Sequence, residues 1–265
     1  MKKKLTLIYL TGLLTISITN VNAQPKVVAH RGHWDTEGSA QNSIRALIKA
    51  DSIKCDACEF DVWLTADKQL VVNHDNTING YEIETTSSDT ILSQKLKNGE
   101  LLPSLSQFLD VAKLLTVDLV LEIKPHKNRK HEAEAVNMVL NMVQEKGLEN
   151  RTSYITFSRN AFDELVKQTK RPILYLNGVA PDVLKSIGGT GADYHINVFK
   201  KNPEWIKQLH NLGLEVNIWT NSGMTSNVWT VNIPSEMQWC IDNGADYITT
   251  NNPELVQKMI KEHYK

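Results

Sequence analysis

The sequence predicts an α/β fold: a (β/α)8 barrel of the TIM type, with a small insertion after the second strand and its hairpin. Three observations carry that expectation. Strand-like and helix-like patterns alternate along the chain, which argues for a parallel sheet joined by crossover helices. With one short hairpin strand set aside, the alternation counts eight of each in about 240 residues, the size at which eight pairs close into a barrel. Polar residues collect where the early strands end, the face on which such barrels carry their sites.

The chain opens Met1-Lys2-Lys3-Lys4, runs apolar from Leu5 to Ile18 and reaches Val21-Asn22-Ala23. Basic, apolar and small residues in that order predict a secretory signal peptide over residues 1–23, cut after Ala23. The apolar run is shorter than the roughly 20 residues a membrane span needs, and no Cys near the cut offers a lipid anchor. The expectation is an exported protein, periplasmic or secreted, with one domain over 24–265 and no stable membrane insertion. Cleavage removes three Lys, taking Lys+Arg from 29 to 26 against 30 Asp+Glu, a formal charge of about −4. With no basic block or stripe, a nucleic-acid partner is disfavoured.

The elements follow in order. Val27-Val28-Ala29 is a short strand running into His30-Arg31-Gly32, and Asn42–Asp51 reads as a helix with Ile44, Leu47 and Ile48 on one face. Asp56–Leu64 is the second strand. Only Thr65–Lys68 separates it from the extended Gln69–His74, a link short enough for an antiparallel hairpin and too short for a parallel crossover. Residues 77–102 are polar and without clean periodicity, with an Asn79-Gly80 turn, and predict a surface excursion; loops this long are usually functional. Pro103 opens a helix to Leu115 carrying Leu105, Phe108, Leu109 and Ala112. Val117–Ile123 is nearly all apolar, as a strand buried on both faces requires, and a helix spans Arg129–Lys146. Strand and helix then alternate through Ser153–Phe157, Asn160–Gln168, Pro172–Leu176, Pro181–Ile187, Ala192–Ile196, Pro203–Leu212, a strand near 214–230, Pro234–Asn243, Asp246–Thr249 and Pro253–His263.

Leu212–Asn221 and Ser222–Val231 form a tandem near-repeat, of which a closed barrel can use only one as its seventh strand. Trp219 or Trp229 could accordingly wall a pocket. Cys55, Cys58 and Cys240 lack the additional Cys and His of a zinc site and read as buried thiols or at most one disulfide.

Glu59 and Asp61 lie two apart in a strand, so both carboxylates point to one side of the sheet. The hairpin folds His74 back towards them. Together with His30 and Arg31, this predicts a metal-assisted site for a phosphate group. Glu59, Asp61 and Glu122 offer three oxygen ligands on adjacent strands, a set suited to a divalent metal such as Ca²⁺ or Mg²⁺ rather than zinc. Arg31 can grip phosphate bidentately and Lys124 as a point charge. His30 and His74 suit proton transfer because imidazole titrates near neutral pH. His33 is expected on the rim, His126 and His131 in solvent, and His195 in a structural role with Asn197 within reach of substrate. Asp75 would orient the His74 loop, and Asn42 would support the site as an amide.

The order His30-Arg31-Gly32, Gln41-Asn42-Ser43, Glu59-Phe60-Asp61, His74-Asp75, Glu122-Ile123-Lys124 resembles the glycerophosphodiester phosphodiesterase family. One position departs: the family usually has Glu where this chain has Gln41, which lowers metal affinity if that residue holds the ion and changes little if it braces the first loop. The resemblance implies hydrolysis of glycerophosphodiesters to sn-glycerol 3-phosphate and an alcohol, with His30 and His74 as the acid–base pair. It also implies attack by the neighbouring glycerol hydroxyl through a cyclic phosphate, and an insertion that covers the barrel mouth and helps choose the alcohol. Ser222–Val231, ending in Trp-Thr-Val and leading into Asn232 and Pro234, looks more like the family's seventh strand than Leu212–Asn221 does. The competing readings are phospholipase D-like hydrolysis of lysophospholipids and a barrel that binds phosphodiesters without turnover.

Overall fold

The computed structural model describes residues 24–220 and 233–265. The predicted signal peptide and the whole second near-repeat, Trp229 included, lie outside the described residues.

Eight strands run parallel: β1 Lys26–Ala29, β2 Ala57–Leu64, β3 Asp118–Ile123, β4 Thr152–Thr156, β5 Ile173–Tyr175, β6 Gly191–His195, β7 Glu215–Trp219 and β8 Tyr247–Thr250. Each pairs with the next, β8 returns to β1 through Val28↔Thr249, and β1 meets β2 through Val28↔Ala57, so the sheet closes on itself. The first near-repeat therefore supplies the seventh strand. Closure leaves no parallel edge, and both faces of each strand are covered.

Side chains alternate across the barrel wall. Cys58, Phe60 and Val62 of β2, Leu119, Leu121 and Ile123 of β3, and Ala192 and Tyr194 of β6 point outward into one large cluster under the helices. Val28, Ala57, Val120, Ile155, Leu174 and Leu176 fill the interior. On the inward side, β2 continues from Ala57 to Glu59 and Asp61, and β3 from Val120 to Glu122. The period that packs the barrel also carries its carboxylates.

Helices α1 Ile44–Ser52, α2 Leu105–Ala112, α3 Arg129–Glu145, α4 Arg159–Gln168 and α5 Pro181–Ser186 cover the outside, followed by α6 Ile196–Lys201, α7 Glu204–Asn211, α8 Ile233–Asp242 and α9 Pro253–His263. Ser43 caps α1 by accepting from the Ala46 N–H, and Ser104 and Gln107 form a reciprocal capping box on α2. The short α6 departs from the single helix expected between β6 and β7. Its Ile196 and Phe199 are fully buried, and Phe199 stacks on Tyr194 at 5.6 Å, so packing rather than length forms it. Among the described residues no helix is long and apolar enough to cross a membrane.

Leu70–Val72 pairs antiparallel with the end of β2 (Val62↔Val72, Leu64↔Leu70), as the short link requires. The insertion is more ordered than its polarity implied. Thr77–Ile78 and Tyr81–Glu82 form a tight hairpin, with Asn79 and Gly80 at φ 49° and 88°, both central residues left-handed as such turns favour. A short helix follows at Ser88–Leu92. Ile78, Ile83, Ile91 and Leu102 pack with Trp63 and Val71 into a core of their own. All three cysteines are buried free thiols.

Candidate active site

The site begins in the turn after β1. Arg31 adopts φ 57° and Gly32 φ 77°. A Cβ at Gly32 would stand 2.7 Å from the Ala46 Cβ of α1, so this turn admits only glycine there. The turn aims the Arg31 backbone N–H at Glu59 Oε2 at 2.7 Å. Its guanidinium donates through Nη1 to Gln41 Oε1 at 2.7 Å, and Nε lies 3.9 Å from Asp61 Oδ2. Gln41 thus braces Arg31, and among the described residues Glu59, Asp61 and Glu122 cluster as metal-ligand candidates here.

Glu59, Asp61 and Glu122 are all buried, with ligand oxygens within 4.8 Å of one another. Asn42, itself left-handed at φ 60°, holds Asp61 from both sides: its Nδ2 donates to Asp61 Oδ2 at 2.8 Å and its Oδ1 accepts the Asp61 N–H at 3.2 Å. Lys124 Nζ sits 2.8 Å from Glu122 Oε1 and 3.3 Å from Asp61 Oδ1. The ammonium expected to meet phosphate is turned onto the carboxylates and is itself buried. Glu59 Oε1 is buried without a hydrogen-bond partner among the described residues. Burial, then repulsion from Asp61 and Glu122, pushes the Glu59 carboxyl well above the usual range. Burial, against the pull of Lys124, takes Glu122 up to about 8. Burial would also raise Asp61, but Lys124, His74 and Arg31 hold it below the ordinary carboxylate value. Three close carboxylates, two of them reluctant to ionise and one with an unmatched oxygen, fit a hard divalent cation bound through oxygen.

His30 and His74 both reach this centre. His30 Nδ1 lies 2.7 Å from Asn251 Oδ1, an oxygen that also accepts from Trp34 Nε1 at 3.3 Å. That oxygen can only accept, which places the His30 proton on Nδ1 and leaves Nε2 bare, 4.0 Å from Glu59 Oε2. Desolvation, then the Arg31 charge, pushes His30 down to about 3. The hairpin delivers His74, whose Nδ1 is 2.7 Å from Asp75 Oδ1, so Asp75 orients the ring itself. Desolvation lowers His74 too, against the opposing pull of Asp61.

Two cavities meet at His74. A deep one of about 200 Å³ holds His30, Arg31, Glu59 and Glu122, walled by Ile155, Phe157, Leu176 and Trp219. An outer cleft of about 630 Å³ runs between the first loop and the insertion, from Trp34 and Asp35 to Asn79 and Lys97. Trp219 is therefore a pocket wall.

Several residues lie elsewhere than expected. His126 is buried rather than solvated: its Nε2 accepts the Leu64 N–H at 3.0 Å and its Nδ1 donates to the Lys124 carbonyl at 2.7 Å, tying β2 to the end of β3. The half-buried His131 bonds the Leu64 carbonyl at 3.1 Å. Glu84, His126 and His131 lie close enough for a metal, but both His126 nitrogens and His131 Nε2 are spent on these bonds and Glu84 accepts the Lys127 N–H, so they form a structural clamp. His33 packs inward, 3.5 Å from Glu254. His195 has the structural role expected of it, capping α6 by accepting the Asn197 N–H, whereas Asn197 lines neither cavity.

Asn251, Trp34 and Asp193 are site residues that sequence reasoning missed. Asn251 offered a signal, an amide directly after the last strand on the catalytic face. Asp193 offered another, a carboxylate on the inward period of β6 between Ala192 and Tyr194.

Fold and site together define a (β/α)8-barrel enzyme, a phosphoric diester hydrolase. A model of the glycerophosphoryl diester phosphodiesterase family matches residues 30–255, and this chain belongs to that family. It is 41% identical to a glycerophosphodiester phosphodiesterase of solved structure from Parabacteroides distasonis, with a TM-score of 0.85 over 91% of this chain and 99% of that one. A glycerophosphodiester phosphodiesterase of Caldanaerobacter subterraneus is 24% identical over 252 residues, 89% of this chain and 98% of that protein. A phosphodiesterase of Oleispira antarctica, solved in complex with the product sn-glycerol-3-phosphate, shares the fold at 19% identity and a TM-score of 0.73, over 90% of this chain and 97% of that one.

Proposed function

We propose that this protein is an exported phosphodiesterase that hydrolyses glycerophosphodiesters to sn-glycerol 3-phosphate and an alcohol. In this reading Glu59, Asp61 and Glu122 hold Ca²⁺ or Mg²⁺. The single observation that carries it is the pair of histidines at the tri-carboxylate centre. Each is tied through Nδ1, and each lines the deep cavity, where its Nε2 serves as the working nitrogen.

When bound, the cation supplies Lewis-acid polarisation of the non-bridging phosphate oxygens. Arg31 and Lys124 add positive charge, so the loaded site would carry one net positive charge against the single negative charge of a phosphodiester. One imidazole takes the proton of the attacking neighbouring glycerol hydroxyl and the other donates a proton to the leaving alkoxide, releasing the alcohol; water then opens the cyclic phosphate to sn-glycerol 3-phosphate with the two proton transfers reversed. Asn251 and Asp75 fix the two rings for these transfers. The insertion borders the outer cleft, the larger of the two spaces, and suits the variable alcohol. Export rests on the basic-apolar-small order of residues 1–23.

The test is enzyme-coupled release of glycerol 3-phosphate from glycerophosphocholine and glycerophosphoethanolamine by residues 24–265, with Ca²⁺, with Mg²⁺ and with EDTA. Metal-dependent release that falls about 10²- to 10⁴-fold in His30→Ala is expected. Release untouched by EDTA would remove the metal from the proposal, and no release from either diester would remove the substrate.

A further inference from the structure

We propose that Asp193 reads the terminal hydroxyl of the glycerol moiety and so selects glycerophosphodiesters over acylated or deoxygenated analogues. The inference rests on the function proposed above and names the side chain that sets its substrate class.

Asp193 sits on the inward face of β6, 1% exposed, and lines the deep cavity. It stands level with Asn217 of β7, which hydrogen-bonds its carboxylate, and Asn217 Oδ1 in turn accepts from Thr249 Oγ1 of β8 at 3.1 Å. Three neighbouring strands thus present a polar floor, and Thr249 lines the cavity beside Asp193. One carboxylate oxygen, Asp193 Oδ1, has no hydrogen-bond partner among the described residues. Among the described residues no cationic side chain contributes to its electrostatics; burial pushes the carboxyl up to about 7, against the bond from Asn217. A buried carboxylate left in that condition costs stability unless a donor meets it. The bond to Asn217 leaves Asp193 Oδ1 unmatched and facing the need for a donor.

The cavity shows what the donor is. At about 200 Å³ it holds a small polyol, and the larger cleft is left for the alcohol. One wall, Ile155, Phe157 and Leu176, is apolar and suits the carbon chain of glycerol. The lining also holds Asp193 and Thr249, which suit its hydroxyls. With phosphate at Glu59, Glu122 and Arg31, the hydroxyl farthest from phosphorus is the donor left for Asp193. A 1-acyl group replaces that O–H with an ester oxygen, which donates nothing and faces the carboxylate lone pairs. A diester of propane-1,2-diol simply lacks the group. A site built to bond a hydroxyl rejects the analogue without it because its own buried partner is left unpaired.

The experiment compares kcat/KM for glycerophosphocholine, for its propane-1,2-diol analogue (which keeps the neighbouring 2-hydroxyl) and for 1-acyl lysophosphatidylcholine. It uses the unaltered enzyme, Asp193→Ala and Asp193→Leu. The unaltered enzyme is expected to prefer glycerophosphocholine over the diol analogue by about 10- to 100-fold, the cost of leaving one buried polar partner unpaired. Asp193→Ala should shrink that ratio towards one, by losing the parent substrate far more than the analogue. An equal loss on both substrates would mean that Asp193 only supports Asn217, and would overturn the proposal. So would an unaltered enzyme that does not discriminate, or that turns over the lysophospholipid as well as the parent. If Asp193→Ala does not fold, Asp193→Leu decides, since it fills similar space and offers no acceptor; an unchanged ratio overturns. No turnover of glycerophosphocholine by the unaltered enzyme overturns the functional reading itself, which separates the two failures.

Discussion

His74 and His126 are both tied through Nδ1, and what the second nitrogen meets separates a working imidazole from a structural one. His74 turns to the cavity with Asp75 behind it, so His74→Ala should lower kcat by about 10²- to 10⁴-fold. Asp75→Asn keeps a hydrogen-bonding group beside the ring and should cost about 10-fold. Steady-state rates with saturating Ca²⁺ check both, and an undiminished His74→Ala would exclude it from the chemistry. His126 spends both nitrogens on backbone, and the bond to the Leu64 N–H demands a bare Nε2. Burial, opposed by Glu84, Glu132 and the Lys124 carbonyl, holds its pKa below 6.5. Below that value the unfolded chain binds a proton that the folded chain refuses. The His126 contribution is therefore complete above pH 6.5 and is lost as pH falls towards the lowered folded value. His126→Ala should be less stable near neutrality by about 1–3 kcal/mol, with a flatter loss on the acid side. Urea midpoints at about pH 5 and about pH 7.5 measure this; parallel acid losses in both proteins would refute it.

The turn after β1 shows how one element serves two ends. Its left-handed Arg31-Gly32 pair lets α1 pack against the barrel and points a backbone N–H at Glu59. Gly32→Ala puts a methyl group against Ala46 and should destabilise the fold by more than about 1 kcal/mol. The same shift moves Arg31 off Glu59, so activity should fall at temperatures where the variant remains folded. A variant with unchanged melting and rate would show that the turn can relax. The barrel strands were legible because a parallel sheet covered on both faces leaves continuous apolar runs, as in Val117–Ile123. His30, Glu59, Asp61, His74 and Glu122 were legible because period and hairpin geometry fix their side. The insertion was not. Ile78, Ile83, Ile91 and Leu102 follow no period and find a core only against Trp63 and Val71, which the hairpin presents. Asp193 was hidden for a related reason: a carboxylate in a strand reads as solvent-facing until closure of the barrel puts that side indoors. His126 lay among charged neighbours, and only the tertiary clamp buries it.

At the scale of the whole molecule, the barrel gathers Glu59, Asp61 and Glu122 on adjacent strands in a buried space, an arrangement that works against folding until a cation joins them. A cation that binds the native state and not the unfolded chain stabilises by mass action, about 2.7 kcal/mol at 100 times its Kd. For a domain of this size that raises Tm by about 5–10 °C. Glu59→Gln separates this effect from general salt stabilisation. Burial and repulsion already push the Glu59 carboxyl towards its neutral form, which the amide imitates, and the amide oxygen can still accept the Arg31 N–H. The metal-free variant should therefore melt close to the metal-free parent, while the gain on adding Ca²⁺ or Mg²⁺ should largely vanish. Calorimetric melts of both proteins in EDTA and in each cation measure it. An equal gain in parent and variant would place the ion elsewhere. A parent that gains nothing would mean that Lys124, already bridging Asp61 and Glu122, is all the positive charge the cluster accepts.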